Sequence, residues 1–133
     1  MKINLPYGEQ MIPMEVPDSC FIGMIDPPKA YPAENPAAEI LYAIEHPFGG
    51  QTLEEIVSPD KKIALIVDDG SRPTPVNTIL SVLIPKLLSC NVRKENIKII
   101  MALGSHRYMT EEEMRERVGK EVYDTYPVLN SEF

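Results

Sequence analysis

Between Lys61 and Gly119 the chain runs twice through one pattern, and that repetition limits what it can fold into. Ile63-Ala64-Leu65-Ile66-Val67 is a continuous apolar run rich in β-branched residues, as in a strand buried on both faces of a parallel sheet. A polar turn follows, Asp68-Asp69-Gly70-Ser71-Arg72-Pro73-Thr74-Pro75. Val76, Ile79, Leu80, Leu83, Ile84, Leu87 and Leu88 then recur at helical spacing, which predicts an amphipathic helix of about four turns. Pro85 within it is expected to kink or loosen a turn, and Asn91 suits a left-handed cap. The second pass begins with Ile97-Lys98-Ile99-Ile100-Met101 and a loop through Gly104-Ser105-His106-Arg107. Thr110 and Glu113 then form a capping box, with Met109 and Met114 placed as its hydrophobic staple, opening a helix that runs to Gly119. Val122 and Val128–Leu129 suggest a final strand. Strand and helix in alternation mean parallel strands and right-handed crossovers. The expected fold class is α/β, with a Rossmann-like, partly parallel sheet of βαβα units over residues 60–133.

Residues 1–59 have a different texture. The chain has 13 prolines, and Pro6, Pro13, Pro17, Pro27, Pro28, Pro32, Pro36 and Pro47 crowd its first 47 residues. Ile3–Leu5, Met11–Val16 and Cys20–Ile25 are apolar runs of strand length, and Tyr7–Gln10 supplies a turn between the first two. A short β-rich segment with an N-terminal hairpin follows, Pro13 restricting its strand to an edge or a bulge. Asn35–Pro36 starts a helix that must stop at His46, before Pro47. Thr52 and Glu55 cap a shorter helix around Leu53, Ile56 and Val57. The reading is therefore one N-terminal domain over 1–133, with a hairpin and helix lead-in. Two or three parallel strands cannot cover both faces of a doubly wound sheet. The sheet is expected to need the N-terminal strands, a partner subunit or a C-terminal part.

Charge narrows the partners. Thirteen Lys and Arg against 20 Asp and Glu give −7, a field that gathers no phosphate backbone, so no nucleic acid is expected. No apolar run is long enough for a membrane span, and MKINLPYGEQ lacks the apolar core of a signal peptide, which makes the cytoplasm the default. Cys20 and Cys90 have no CxxC or ligand spacing and read as two buried thiols. The methionines read as core filler, and no metal site is expected.

Ligands of open parallel sheets bind beyond the carboxyl ends of the strands. Two loops leave such ends, 68–75 and 104–108, and neighbouring strands would bring them together. The first offers Asp68, Asp69, Ser71, Arg72, Thr74 and the start of the long helix, whose amides and dipole favour an anion. Arg72 adds a fork for carboxylate or phosphate, while the aspartates could orient Arg72, accept from sugar hydroxyls or cap the helix. GxxxxGK[ST] and GxGxxG are both absent. The plain structural alternative is an Asp/Ser cap with a turn glycine and two prolines. In the second loop, His106 is placed for acid–base work near neutral pH. Its plain alternative is a histidine bonded to a nearby carbonyl. His46, at a helix end, and Glu111-Glu112-Glu113, in a first turn, are ordinary structural features.

DDGSRPTP followed by ALGSHRYMTEEE resembles the lactate racemase family of nickel-pincer nucleotide enzymes, and LPYG, NPAAEILYAIEHP and KKIALIVDD stand in that family's order. The resemblance implies a two-domain enzyme with its active site between domains, racemising or epimerising a 2-hydroxy acid by hydride and proton transfer with a nickel-pincer nucleotide. It assigns catalysis to His106, Asp69 and Arg72, and cofactor binding to Asp69, Ser71, Arg72 and Thr74. The family's second acid/base His, its cofactor-bearing Lys and its nickel-ligating His lie further along than this chain reaches. Leu129-Asn130-Ser131-Glu132 stands where relatives tend to have Asn-His-Asp. The expectation is an N-terminal domain, inactive alone, whose partners are a 2-hydroxy acid and the missing C-terminal domain, with a second copy across an open sheet edge as a further candidate. The alternatives are a stand-alone phosphate- or nucleotide-binding module and an assembly domain without catalysis.

Overall fold

The computed structural model describes residues 1–132, which fall into two compact units, Met1–Pro32 and the chain from Ala33 onward. In the first unit, β1 (Lys2–Tyr7) and β2 (Gln10–Glu15) form the expected antiparallel hairpin. Gly8 takes the left-handed conformation at its turn, with φ 59°. Met1 and Val16 exchange backbone hydrogen bonds, so the alternating register makes Asn4–Pro13 and Pro6–Met11 pairs that exchange none. Both prolines thus sit where a missing N–H costs the ladder nothing, and Pro13 needs no bulge. The third run departs from expectation. Asp18–Cys20 is a single 3₁₀ turn, and no strand forms in 21–34, a stretch in which Pro27, Pro28 and Pro32 have no backbone N–H to donate to a ladder.

In the second unit, α1 (Pro36–Glu45) begins at Asn35, whose side chain accepts from the Ala38 amide at 3.2 Å. His46 ends it, stacked on Tyr42 and bonded to the Tyr42 carbonyl through Nδ1. The one-turn α2 (Leu53–Ile56) follows, the Glu55 carboxylate accepting from the Thr52 amide at 2.7 Å. Next come β3 (Ile63–Asp68), α3 (Val76–Ser89), β4 (Ile97–Ala102), α4 (Glu111–Val118), α5 (Lys120–Thr125) and β5 (Val128–Asn130). The three strands form one parallel sheet in the order β3-β4-β5, while the hairpin is a sheet of its own. The N-terminal strands therefore do not extend the parallel sheet.

That strand order has a physical consequence. Right-handed crossovers taken twice in the same direction place their helices on one face of the sheet, and only a reversal of direction would cover the other. Ile97, Ile99 and Met101 are fully buried, with Leu80, Ile84 and Leu87 of α3 and Met114 and Val118 of α4. The alternate residues face away: Ile66 is 71% exposed and Leu129 49%. The expectation that β3 is buried on both faces is thus corrected, since its apolar run is covered on one side only.

α3 runs unbroken through Pro85. Pro85 and Ser81, the residue whose carbonyl loses its bond, both lie on the exposed side of the helix. Asn91 ends the turn at φ 62°, as its side chain permits. Lys86 ties three helices together, its ammonium lying 2.9 Å from Glu45 of α1 and 2.7 Å from Glu54 of α2. α5 occupies the stretch where Val122 hinted at a strand. Cys20 is exposed and Cys90 partly buried, so neither is the buried thiol expected. Met101 and Met114 are core, but Met11, Met14 and Met24 are exposed. Among the described residues no helix is long and apolar enough to cross a membrane.

Candidate functional site

β3 and β4 are neighbours in a register that pairs Asp68 with Ala102, so the loops after them start level with one another. The loop after β3 folds onto its own aspartates. Asp69 Oδ1 accepts from the Ser71 hydroxyl at 2.6 Å and the Ser71 amide at 3.1 Å, a side-chain-closed turn. Thr74 donates its hydroxyl to Asp68 Oδ2 at 2.5 Å, and Val76 donates its amide to the Thr74 carbonyl. No side chain caps α3, so the plain reading of this loop as an Asp/Ser helix cap does not describe it.

From the other side, His106 reaches Asp69. Its Nδ1 lies 2.5 Å from Asp69 Oδ2, and its amide donates to the Leu103 carbonyl. Asp69 is the one charged residue in the buried set of described residues, its side chain only 10% exposed, whereas that of His106 is 57% exposed. The Ser71 hydroxyl, and after it His106, hold the Asp69 carboxyl far below its ordinary range, so it is a carboxylate and can only accept. The proton between them therefore sits on Nδ1. In a neutral His106, Nε2 carries the free lone pair.

Asp68 has a separate partner. Arg117 of α4 binds its carboxylate through Nη2 and its carbonyl through Nε. Burial pushes the Asp68 carboxyl up, but the Thr74 hydroxyl and Arg117 together outweigh it and leave it below its usual value. A third pair closes the rim. Arg107 grips Glu113 with two nitrogens at 2.6 and 2.9 Å, and with the Thr110 amide it holds the Glu113 carboxyl down at about 2.

These residues surround a cavity of about 770 Å³. Asp69, Ser71, Thr74 and His106 line it, joined by Arg107 and Arg117. Arg72 is exposed and does not line it. Neither aspartate pairs with Arg72, since Arg117 and His106 have taken them. Arg117 escaped the sequence reading because it sits in a charged helical run. Its spacing of three from buried Met114 puts it on the inward side of α4, and that was the available signal.

A family model described as lactate racemase N-terminal domain matches residues 7–133. The lactate racemase of Thermoanaerobacterium thermosaccharolyticum is 28% identical over 124 residues, which are 92% of this chain and 29% of that protein. The lactate racemase of Lactiplantibacillus plantarum is 27% identical over 130 residues, 96% of this chain and 30% of that one. The solved lactate racemase apoprotein from T. thermosaccharolyticum superposes with a TM-score of 0.70 at 25% identity, over 99% of this chain and 30% of that one. The chain thus spans a little under a third of the length of these relatives.

Proposed function

The chain belongs to the lactate racemase N-terminal domain family, and from that premise we propose that it forms part of an enzyme that racemises or epimerises a 2-hydroxy acid, with His106 as one of its two proton-transferring groups. The observation that carries this reading is the Asp69–His106 pair at the rim of the cavity. An anionic Asp69 fixes the Nδ1–H tautomer, so Nε2 is the atom that takes the hydroxyl proton of a 2-hydroxy acid as its α-carbon loses hydride. Asp69 also stabilises the imidazolium that results, without itself taking the proton. When that proton returns, His106 acts as the acid.

A nickel-pincer nucleotide is the cofactor proposed for the full-length enzyme. A cavity of about 770 Å³ admits a nucleotide-sized group. Arg107 and Arg117, at its wall and paired with Glu113 and Asp68, are proposed to meet the group's phosphate. Ser71 and Thr74 shape that wall, and Arg72, exposed between them in the chain, is proposed to meet the substrate or cofactor. The nickel-ligating His that the resemblance implies is assigned to the part of the enzyme beyond this domain. Accepting and returning hydride is the chemistry the cofactor supplies when bound. This chain orients the pocket and moves one proton. A racemase acts on both faces of a carbon, and the second base and the covalent anchor are assigned to the part of the enzyme beyond this domain. The chain alone is proposed to be inactive.

The test is racemisation in D₂O by the cofactor-loaded polypeptide that carries this domain, followed by chiral chromatography and mass spectrometry of lactate. Interconversion without deuterium at the α-carbon is expected, because hydride returns rather than a solvent proton. Solvent deuterium at that carbon would overturn hydride transfer. Micromolar nucleotide binding by the 133-residue chain alone, with no turnover by the longer polypeptide, would favour a binding module instead.

A further inference from the structure

The loop that carries His106 is anchored from a strand that contributes nothing to the cavity. Leu103 is buried at its start, Met109 is partly buried at its end, and residues 104–108 between them are exposed. Gly104 bends the chain with φ 55°. Both ends are tied to the C-terminal end of β5. The Asn130 carboxamide exchanges two hydrogen bonds with Met109, Oδ1 accepting from the amide at 3.2 Å and Nδ2 donating to the carbonyl at 2.9 Å. The following residue does the same work at the other end, where Ser131 Oγ accepts from the Leu103 amide at 3.2 Å. The Ser131 amide continues the sheet ladder to the Met101 carbonyl.

We propose that Asn130 is a positioning residue for His106: by pairing with both backbone groups of Met109, it holds the loop where the His106 imidazole meets Asp69. The claim deepens the reading of His106 as a proton-transferring group and rests on it. A carboxamide has a donor and an acceptor on one planar group, so it can stand in for one more residue of a neighbouring strand. Aspartate would keep the acceptor for the Met109 amide but set a charge against the Met109 carbonyl. Glutamine would overshoot by a methylene. With the loop loosened, the imidazole is no longer held to Asp69 and relaxes toward the mixed tautomers of a solvated histidine.

The test uses the ¹⁵N-labelled 133-residue chain and reads the imidazole nitrogens of His106 by long-range ¹H–¹⁵N correlation. Asn130→Ala removes both bonds, and Asn130→Asp keeps one in case the alanine variant does not fold. In the wild type nearly all neutral His106 is expected to carry its proton on Nδ1. In either variant that share is expected to fall to roughly half or below. A lower urea midpoint with the Nδ1–H share unchanged would overturn the proposal and leave Asn130 purely structural. A wild-type His106 already in mixed tautomers would instead remove the Asp69–His106 premise, so the two failures read apart.

Discussion

Asp69 Oδ2 and His106 Nδ1 stand 2.5 Å apart although the two residues lie 37 positions apart in the chain. The contact joins the loops that leave two adjacent parallel strands, and it gives an exposed imidazole a fixed, nearly buried carboxylate. Replacing Asp69 with Asn puts an amide donor within reach of Nδ1 and moves the histidine proton to Nε2, the atom proposed to accept. In the polypeptide that carries this domain, Asp69→Asn is expected to lower kcat by on the order of 10³ with the fold retained. Steady-state racemisation, with circular dichroism as the folding control, decides it. A variant that turns over at the wild-type rate would remove Asp69 from the mechanism.

Acid should weaken the domain in a defined window. Asp68, Asp69 and Glu113 all have folded-state values below their ordinary ones. Each contributes stability that is present above its unfolded value and lost as pH falls through its folded value. For Glu113 that interval runs from 4.5 down to about 2. Urea midpoints should therefore hold steady near neutrality and fall through this interval, and Glu113→Gln should flatten the slope. A wild-type midpoint unchanged down to pH 2 would contradict these ion pairs.

Gly104 is a test of backbone conformation separated from packing. A methyl group there would meet no atom within 4 Å, yet φ is 55°. Gly104→Ala should cost about 1 kcal/mol through strain alone. Urea unfolding gives the figure, and a neutral outcome would mean that the loop takes another path.

The two sides of the sheet should respond very differently to truncation. Ile99 is fully buried, and Ile99→Ala is expected to cost roughly 2–5 kcal/mol through lost contacts and a cavity. Ile66, on the neighbouring strand but facing the other way, is 71% exposed, and Ile66→Ala should stay within about 0.5 kcal/mol. Equal losses at both positions would show that the second face is covered in solution.

What the chain's own pattern decided was whatever depends on near neighbours. Alternating runs and helical spacing specified α3, β3 and β4, Asn35–Pro36 and Thr110–Glu113 specified where helices begin, and Tyr7–Gln10 specified the hairpin turn. These are local properties, settled by dihedral preference and by which side chains share a face. That the loops holding Asp69, Ser71, Thr74 and His106 follow strand ends was legible for the same reason. Tertiary structure decided the pairings. Arg117 lies 49 positions from Asp68 and Asn130 lies 21 from Met109, and nothing short-range distinguishes them from solvated polar residues. Which carboxylate meets which cation follows from strand order and from the register that sets Asp68 beside Ala102. Likewise, β3 looked buried on both faces because composition records hydrophobicity and not cover. Its second side is open because two crossovers of one hand, taken in one direction, put all the helices of this sheet on the other.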